Sequence, residues 1–432
     1  MIEAPPKIDS RLKEAVTVLI NPNFKEYFDK VEKEYYYWDK AKYRTPPNVK
    51  PEDFWAAIKI NRHSKHISFG KYIFSYKITD YMQKCLHDFD LNFSGILSSD
   101  NLISDKTRQY FLLSSIMEEA IASSQMEGAS TTRKVAKEML RKKKKPTDKS
   151  QQMIANNYKT IQFLSEHKDE PLSKELLLEI HRQISDKTLE NPSDEGKFRD
   201  TNDIVISNNI TGEVAHYPPD FTEIEQIVCL LCTFTNNEDE FIHPIIKAII
   251  IHFLISFLHP FVDGNGRTAR SLFYWYMLKK GYWLTEFLSI SRIIYSSKNQ
   301  YEKAFLYTEH DGYDLGYFIN YNLTVLNKAF LDLKKYLERK SKERLSSLEL
   351  RKFVGINERQ AHIIQIAMKH PTTIFISKDL QIELGVSVKT IRSDLEGLVK
   401  IGLLKVLPMN KRLMGYIRTD DFESKLGEIR GN

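Results

Sequence analysis

Cysteine is scarce, with three in 432 residues: Cys85, Cys229 and Cys232. Three cannot build a disulfide framework, so a reducing, cytoplasmic compartment is the expectation. Cys229-Leu-Leu-Cys232 has the CxxC form, but it has no second pair and no neighbouring ligand histidine. It lies in an apolar helical run (IEQIVCLLCTF), so core packing is expected there rather than metal or redox chemistry. Long apolar runs are also missing. The longest, near residues 248 to 258, is too short to cross a bilayer, and the N-terminus (MIEAPPKIDSRLKE) has no signal-peptide core, so no membrane partner is expected. No Gly-x-x-x-x-Gly-Lys-[Ser/Thr] loop occurs, which disfavours an ordinary P-loop ATPase. A strong charge of either sign is absent too: 63 Lys and Arg against 57 Asp and Glu leave +6, which suits an anionic ligand without requiring nucleic acid.

What is present is ample core material. Hydrophobic residues make up 42% and aromatics 12%, and the length exceeds one ordinary core, so two to three domains are expected. The pattern divides into an N-terminal region (1–105), a helical region (106–330), a charged helical linker (331–352) and a small C-terminal module (353–432). The first region reads as mixed helix with a few strands, and its Tyr35–Trp38 cluster as core. The fold class expected is mainly α, a helical core carrying a β-hairpin, plus a C-terminal helix-turn-helix module.

The chemistry concentrates in residues 252–270, HFLISFLHPFVDGNGRTAR. An apolar run from Ala248 to Leu258 reads as a buried helix that stops before Pro260. Four turn residues, Asp263 to Gly266, follow, and Arg267 onward is helical again. Glycines let successive N–H groups converge as an anion nest, and the second helix adds the positive end of its dipole. Arg267 and Arg270 are three apart and share a helix face. Asp263 is a hard oxygen ligand suited to Mg²⁺, and His259 stands at the loop entrance as a base. These features describe a nucleotide phosphate site with a proton acceptor beside it.

The string resembles the Fic family motif H-[PX]-F-x-[DE]-G-N-G-R-x-x-R, matched at every position. The resemblance implies a helical Fic core that transfers AMP from ATP to a Tyr, Thr or Ser hydroxyl of a target protein, or of itself. His259 would be the base and Asp263 the Mg²⁺ ligand. Gly264, Asn265 and Gly266 would hold phosphate through their backbones, Arg267 and Arg270 would hold the β- and γ-phosphates, and Thr268 and Ala269 complete the ATP-binding segment. Tyr301 matches one of a tyrosine pair found near adenine in the family; Glu302 replaces the other. Ser123-x-x-x-Glu127-Gly128 resembles the family's inhibitory motif, whose Glu pairs with the second arginine, here Arg270. Ile204, Val205 and Ile206 read as a short strand, with Val214 to Tyr217 returning. They resemble the flap over a Fic active site, which holds the target by strand addition. The same motif can run other nucleotide transfers, or AMP removal with Glu127 retained. Homodimers are common in the family, and the target protein is not specified.

Helices are expected at Lys106–Ala122, at Thr131–Lys145 ending in the solvated run Arg141–Lys145, and as a pair within 150–190 broken at Pro171–Ser173. Glu309–Gly312 reads as a solvated loop rather than a metal site. In the C-terminal module, helices at 358–369, 377–384 and 387–398 precede two strands flanking a basic turn, Asn410–Arg412. This resembles a winged helix with the third helix as reader. Residues 377–418 hold eight Lys and Arg against four Asp and Glu, and Lys389, Thr390, Arg392 and Ser393 could meet phosphates or bases. DNA binding and protein interaction both stand at this point, as does a nucleotide-sensing winged-helix regulator.

Overall fold

The computed structural model describes residues 2–62, 65–93, 105–207, 212, 214–282, 288–351, 356–409 and 414–431. The chain divides into two compact units, Met1–Leu333 and Lys334–Asn432.

The first unit opens with α1 (Leu12–Leu19), α2 (Lys25–Glu34), α3 (Trp38–Ala41) and α4 (Pro51–Arg62). An antiparallel hairpin follows, β1 (Lys65–Phe69) with β2 (Tyr72–Tyr76), and then α5 (Asp80–Phe93). Tyr35, Tyr37 and Trp38 are buried, as expected of the aromatic cluster. What the sequence does not announce is a buried ionic network. Lys59 donates to Asp311 (2.7 Å) and Asp314 (2.8 Å), Arg62 to Glu32 (2.9 Å), and the Tyr35 hydroxyl to Asp314 (2.9 Å). Asp311 therefore does not sit in a solvated loop. Removing one partner would strand a buried charge, the costly way to break such a pair.

The helical core follows as α6 (Asp105–Met126), α7 (Arg133–Arg141), α8 (Lys149–Glu166) and α9 (Lys174–Ser185). Next come the strands β3 (Ile206–Ser207) and β4 (Val214–His216), then α10 (Ile224–Asn236), α11 (Pro244–Leu258), α12 (Asn265–Lys279), α13 (Ile290–Ser296), α14 (Lys298–His310) and α15 (Gly316–Arg351). Caps explain several boundaries. Asp148 accepts from the Gln151 amide and starts α8, and Ser173 accepts from that of Leu176 and starts α9 where the sequence signal placed it. α6 runs past Ala122 to Met126, so Ser123 lies within the helix and Glu127 just beyond it. α7 ends at Arg141, not Lys145, because Lys143 takes a left-handed conformation.

α11 is apolar all round and almost wholly buried, the pattern of a helix with core on every side. It packs against α12. Each buried Ile, Leu or Phe in it contributes about 1.5–3 kcal/mol. On α10 the buried face is Ile224, Ile227, Val228 and Leu231, and Cys229 points to solvent. The expectation that both cysteines pack in the core thus fails for Cys229, which falls on the outer side of the 3.6-residue period.

The second unit holds α16 (Glu358–Lys369), β5 (Phe375–Ile376), α17 (Ser377–Leu384), α18 (Val388–Lys400), β6 (Leu404–Pro408), β7 (Met414–Arg418) and α19 (Phe422–Gly431). Its sheet has the order β5-β7-β6, all antiparallel. Ser387 caps α18, and Gly385, in the left-handed region, closes α17. Ile363, Ile391, Leu395 and Leu398 form the centre of its core. The expected turn Asn410–Arg412 lies outside the described residues. No described helix is long and apolar enough to cross a membrane.

Candidate active site

The site is built at the junction of α11 and α12. α11 ends at His259, whose φ of 48° is a left-handed conformation that non-glycine residues seldom adopt. Such strain persists only where surrounding contacts over-determine it, and here they do. Arg199 donates from Nε to the His259 carbonyl (2.9 Å), and its Nη2 reaches the Pro219 carbonyl (2.5 Å). The Arg199 amide bonds the Pro260 carbonyl (2.9 Å). Asn265 brackets Phe261, its Oδ1 accepting from the Phe261 amide (2.9 Å) and its Nδ2 donating to the Phe261 carbonyl (2.8 Å). His181 stacks on Phe261 with ring centroids 3.7 Å apart. Its Nδ1 accepts from the Gly196 amide (3.1 Å), so Nε2 carries the proton and donates to the Asp263 carbonyl (2.8 Å).

The turn is tighter than the sequence reading made it. Gly264, at φ 84°, is the cap of α12, and the helix starts at Asn265. Asn265 and Gly266 are therefore first-turn residues, and their amides belong to the helix terminus, where N–H groups lack intrahelical partners. The Gly264 φ requires a glycine. A Cβ at Gly266 would stand 2.2 Å from Oε1 of Glu127, so any side chain there would push that carboxylate aside.

His259 donates from Nδ1 to the Ser256 carbonyl (3.2 Å), which leaves Nε2 with the lone pair. Burial pushes its pKa down to about 4, only partly offset by the Ser256 bond, so the imidazole is neutral near pH 7. Asp263 is exposed, and its carboxylate accepts from the Gly264 amide. Arg267 is fully buried and donates from Nη1 to the Ile184 carbonyl (2.9 Å), while its Nε and Nη2 are without a hydrogen-bond partner. Buried donors left unpaired carry a large penalty, and an incoming phosphate would remove it. Arg270 is held by two of its nitrogens: Nε donates to Ser123 Oγ (2.9 Å), and Nη2 to the Ser123 carbonyl (2.9 Å) and to Glu127 (2.8 Å). Burial alone would raise the Glu127 pKa, but the charge and hydrogen bond of Arg270 outweigh it and leave the carboxyl below its usual range.

The structure thus brings together His259, Asp263, Gly264, Asn265, Gly266, Arg267, Arg270, Ser123 and Glu127. It does not bring in Thr268 and Ala269 as ligands. Both are fully buried, and Thr268 Oγ1 bonds the Gly264 carbonyl (3.0 Å), so they hold the turn from inside. Tyr301 lies among Phe305, Phe318 and Tyr321 with its hydroxyl on His252 (2.9 Å), near enough to Arg270 and Glu127 to interact with their charges. The flap strand is shorter and shifted: Ile204 and Val205 are loop, and β3 holds only Ile206 and Ser207. Two pairs join it to β4, Ile206 with His216 and Ser207 with Val214, across an irregularity. β4 ends at His216, not Tyr217. The hairpin tip, 208–211, lies outside the described residues. Sequence reasoning missed His181 and Arg199 as site residues. Neither belongs to the motif, and only the fold brings them to it.

The Fic/DOC family model matches residues 171–277, a span that contains the whole junction. The chain carries a Fic domain. Its sequence is 30% identical over 116 residues to the protein adenylyltransferase Fic of Nematostella vectensis, and 32% identical over 120 residues to the protein adenylyltransferase fic-1 of Caenorhabditis elegans. Those alignments cover 27% and 28% of this chain, and 25% and 22% of the relatives, so the chain spans about a quarter of the length of the curated relatives it matches. A crystal structure of a Fic family protein from Desulfovibrio desulfuricans aligns with 80% of this chain and 98% of its own, at a TM-score of 0.51 and 19% identity. The likeness therefore extends in fold well beyond the Fic domain.

Proposed function

We propose that this chain transfers AMP from ATP to a Tyr, Thr or Ser hydroxyl of a target protein, under restraint by Glu127. The observation that carries the reading is the pairing of His259, neutral with Nε2 free, with the buried, half-unbonded Arg267 guanidinium at the N-terminus of α12. One is a base without a proton; the other is a cation that needs an anion.

His259 Nε2 would take the proton of the target hydroxyl. The hydroxyl oxygen would attack the α-phosphorus of ATP, forming the phosphodiester as the bond to pyrophosphate breaks. The amides of Asn265 and Gly266 and the dipole of α12 stabilise the charge on the phosphates, with the Gly264 amide joining them once it leaves the Asp263 carboxylate, and Arg267 neutralises the leaving end. Asp263 fits Mg²⁺ in the way that ion is usually held, by one carboxylate together with substrate phosphates; no cluster of three or more ligand side chains occurs among the described residues. Bound there, Mg²⁺ would screen the phosphate charges. Glu127 restrains the reaction because its carboxylate sits over Gly266 and occupies Arg270, where the γ-phosphate would bind. The same carboxylate, with a water, could serve AMP removal. The flap, extended through β3, would align the target's backbone beside His259.

The second unit supports a further reading as a winged helix that binds DNA. Lys389, Arg392, Ser393 and Lys400 are exposed along α18, and such a stripe would meet phosphates and base edges. The three free cysteines accord with a cytoplasmic setting, and a homodimer is consistent with the family resemblance.

The test is label transfer from ATP marked at the α- or γ-phosphate, with Mg²⁺, to wild type, Glu127→Gly, His259→Ala and the double variant. Label from α-ATP alone, rising in Glu127→Gly and lost with His259, is expected. Label from γ-ATP would mean phosphorylation and overturn the reading. Gel shifts across a salt series test the second unit.

A further inference from the structure

α6 carries more than the restraining pair. Glu119 and Ser123 stand four apart on one face of the helix, and Glu127 follows in the turn that ends it. Ser123 and Glu127 meet Arg270 of α12. Glu119, buried and two turns earlier, meets α13. Its Oε2 accepts from the Ser291 amide (3.0 Å) and from Ser289 Oγ (3.3 Å), and its Oε1 accepts from Ser291 Oγ. The Tyr274 hydroxyl, one turn beyond Arg270 on α12, fastens the same junction, donating to the Leu288 carbonyl (3.0 Å) and accepting from the Ile290 amide (3.0 Å). A buried carboxylate is costly unless well bonded. Ala, Leu or Met would fill a helix–helix contact at less cost, so the three bonds require a reason. They supply register: a hydrogen-bonded carboxylate sets where α6 stands along α12 and α13, which apolar packing does loosely. The side chain of Glu118, the preceding residue, bonds instead to Arg133 (2.6 Å) and Lys137 of α7.

We propose that Glu119 is the positioning residue of the restraint: through Ser291 it fixes the register of α6, so that Glu127 reaches Arg270. The inference rests on the reading of Glu127 as a restraint.

The test crosses Glu119→Ala and Glu119→Gln with Glu127→Gly in the full chain. Label transfer from α-ATP is read beside hydrogen exchange of amides 120–128. Hydrogen bonds to a charged group are of a size that shifts an equilibrium by about tenfold or more. Glu119→Ala should therefore raise labelling by about tenfold in the wild-type background and speed exchange at 120–128. Glu119→Gln, which keeps an acceptor for the Ser291 amide, should fall between Glu119→Ala and wild type. In the Glu127→Gly background neither variant should change labelling, since the restraint is already gone. An effect of equal size in both backgrounds, or unchanged exchange at 120–128, would overturn the positioning role. Should Glu127→Gly itself leave labelling flat, the restraint reading fails. The exchange data would then still decide whether Glu119 sets the register of α6.

Discussion

The two walls of the site differ in how much of each is finished. On one side the α11–α12 junction is over-determined. His259 is held in a left-handed conformation, and Arg199, Asn265 and His181 all bond its loop. On the other side the flap joins β3 to β4 through two residue pairs, with Val205 and Val214 exposed. The difference shows where precision is needed before a partner arrives. Phosphate chemistry requires preorganised donors, because reorganising them during the reaction raises the barrier. A strand-binding surface can be completed by the segment it binds. Arg199 connects the two, reaching His259 with Nε and Pro219, beyond β4, with Nη2.

The largest break in this comparison is His259→Ala. It removes the proton acceptor and leaves the flap intact, so labelling from α-ATP should fall by ~10²–10⁴-fold while ATP still protects the chain against heat. Next is Arg199→Ala, which unties the finished wall from the flap. Bonds to a charged group are worth about 1.5–3 kcal/mol each. Calorimetry should show a lower Tm, and α-ATP labelling should fall even in the Glu127→Gly background. A variant that loses neither would dissolve the contrast.

Acidity probes the finished wall through its imidazoles. Burial lowers the pKa of His259 and His181 to about 4 and of His252 to about 3, from 6.5. The unfolded chain protonates these histidines below pH 6.5 while the folded chain does not, so it binds more protons, and stability falls with pH. The loss should begin near pH 6.5 and continue to about pH 4, where the folded imidazoles protonate as well. Denaturant midpoints at pH 7.5, 6, 5 and 4.5 check it, and His252→Phe should flatten part of the slope. The smallest effect is expected on the unfinished wall: Val205→Ala, an exposed loop residue, should change stability by about 0.5 kcal/mol or less. A larger change would show the flap to be built before the target binds.

The catalytic motif was legible because local chemistry dictates its backbone. Glycine at 264 marks a left-handed cap, the arginine spacing marks a helix face, and the apolar run before them marks a buried helix. The start of α12 was placed two residues late, since Asn265 and Gly266 read as turn residues until the fold puts them in a first helical turn. The side chains of Thr268 and Ala269 face inward rather than toward the loop, because a motif names positions but not the direction in which side chains face. Cys229 and Asp311 failed in opposite senses, one expected inside and found outside, the other the reverse. Burial depends on which neighbours arrive, and Lys59, 252 residues away in sequence, is what takes Asp311 inside.

By itself the sequence determined the order of helices around the junction, the glycine turn between them and the clustering of His259, Asp263 and the two arginines, because these depend on periodicity and on residue types a few positions apart. Only the tertiary structure decided that Arg267 leaves Nε and Nη2 without partners while those of Arg270 are taken by Ser123 and Glu127. It also decided that His181 and Arg199 brace the loop, and that Glu119 on α6 meets α13 while Glu127, in the turn after α6, meets α12. Each of these joins residues from about 60 to more than 170 positions apart, and no local propensity reaches that far.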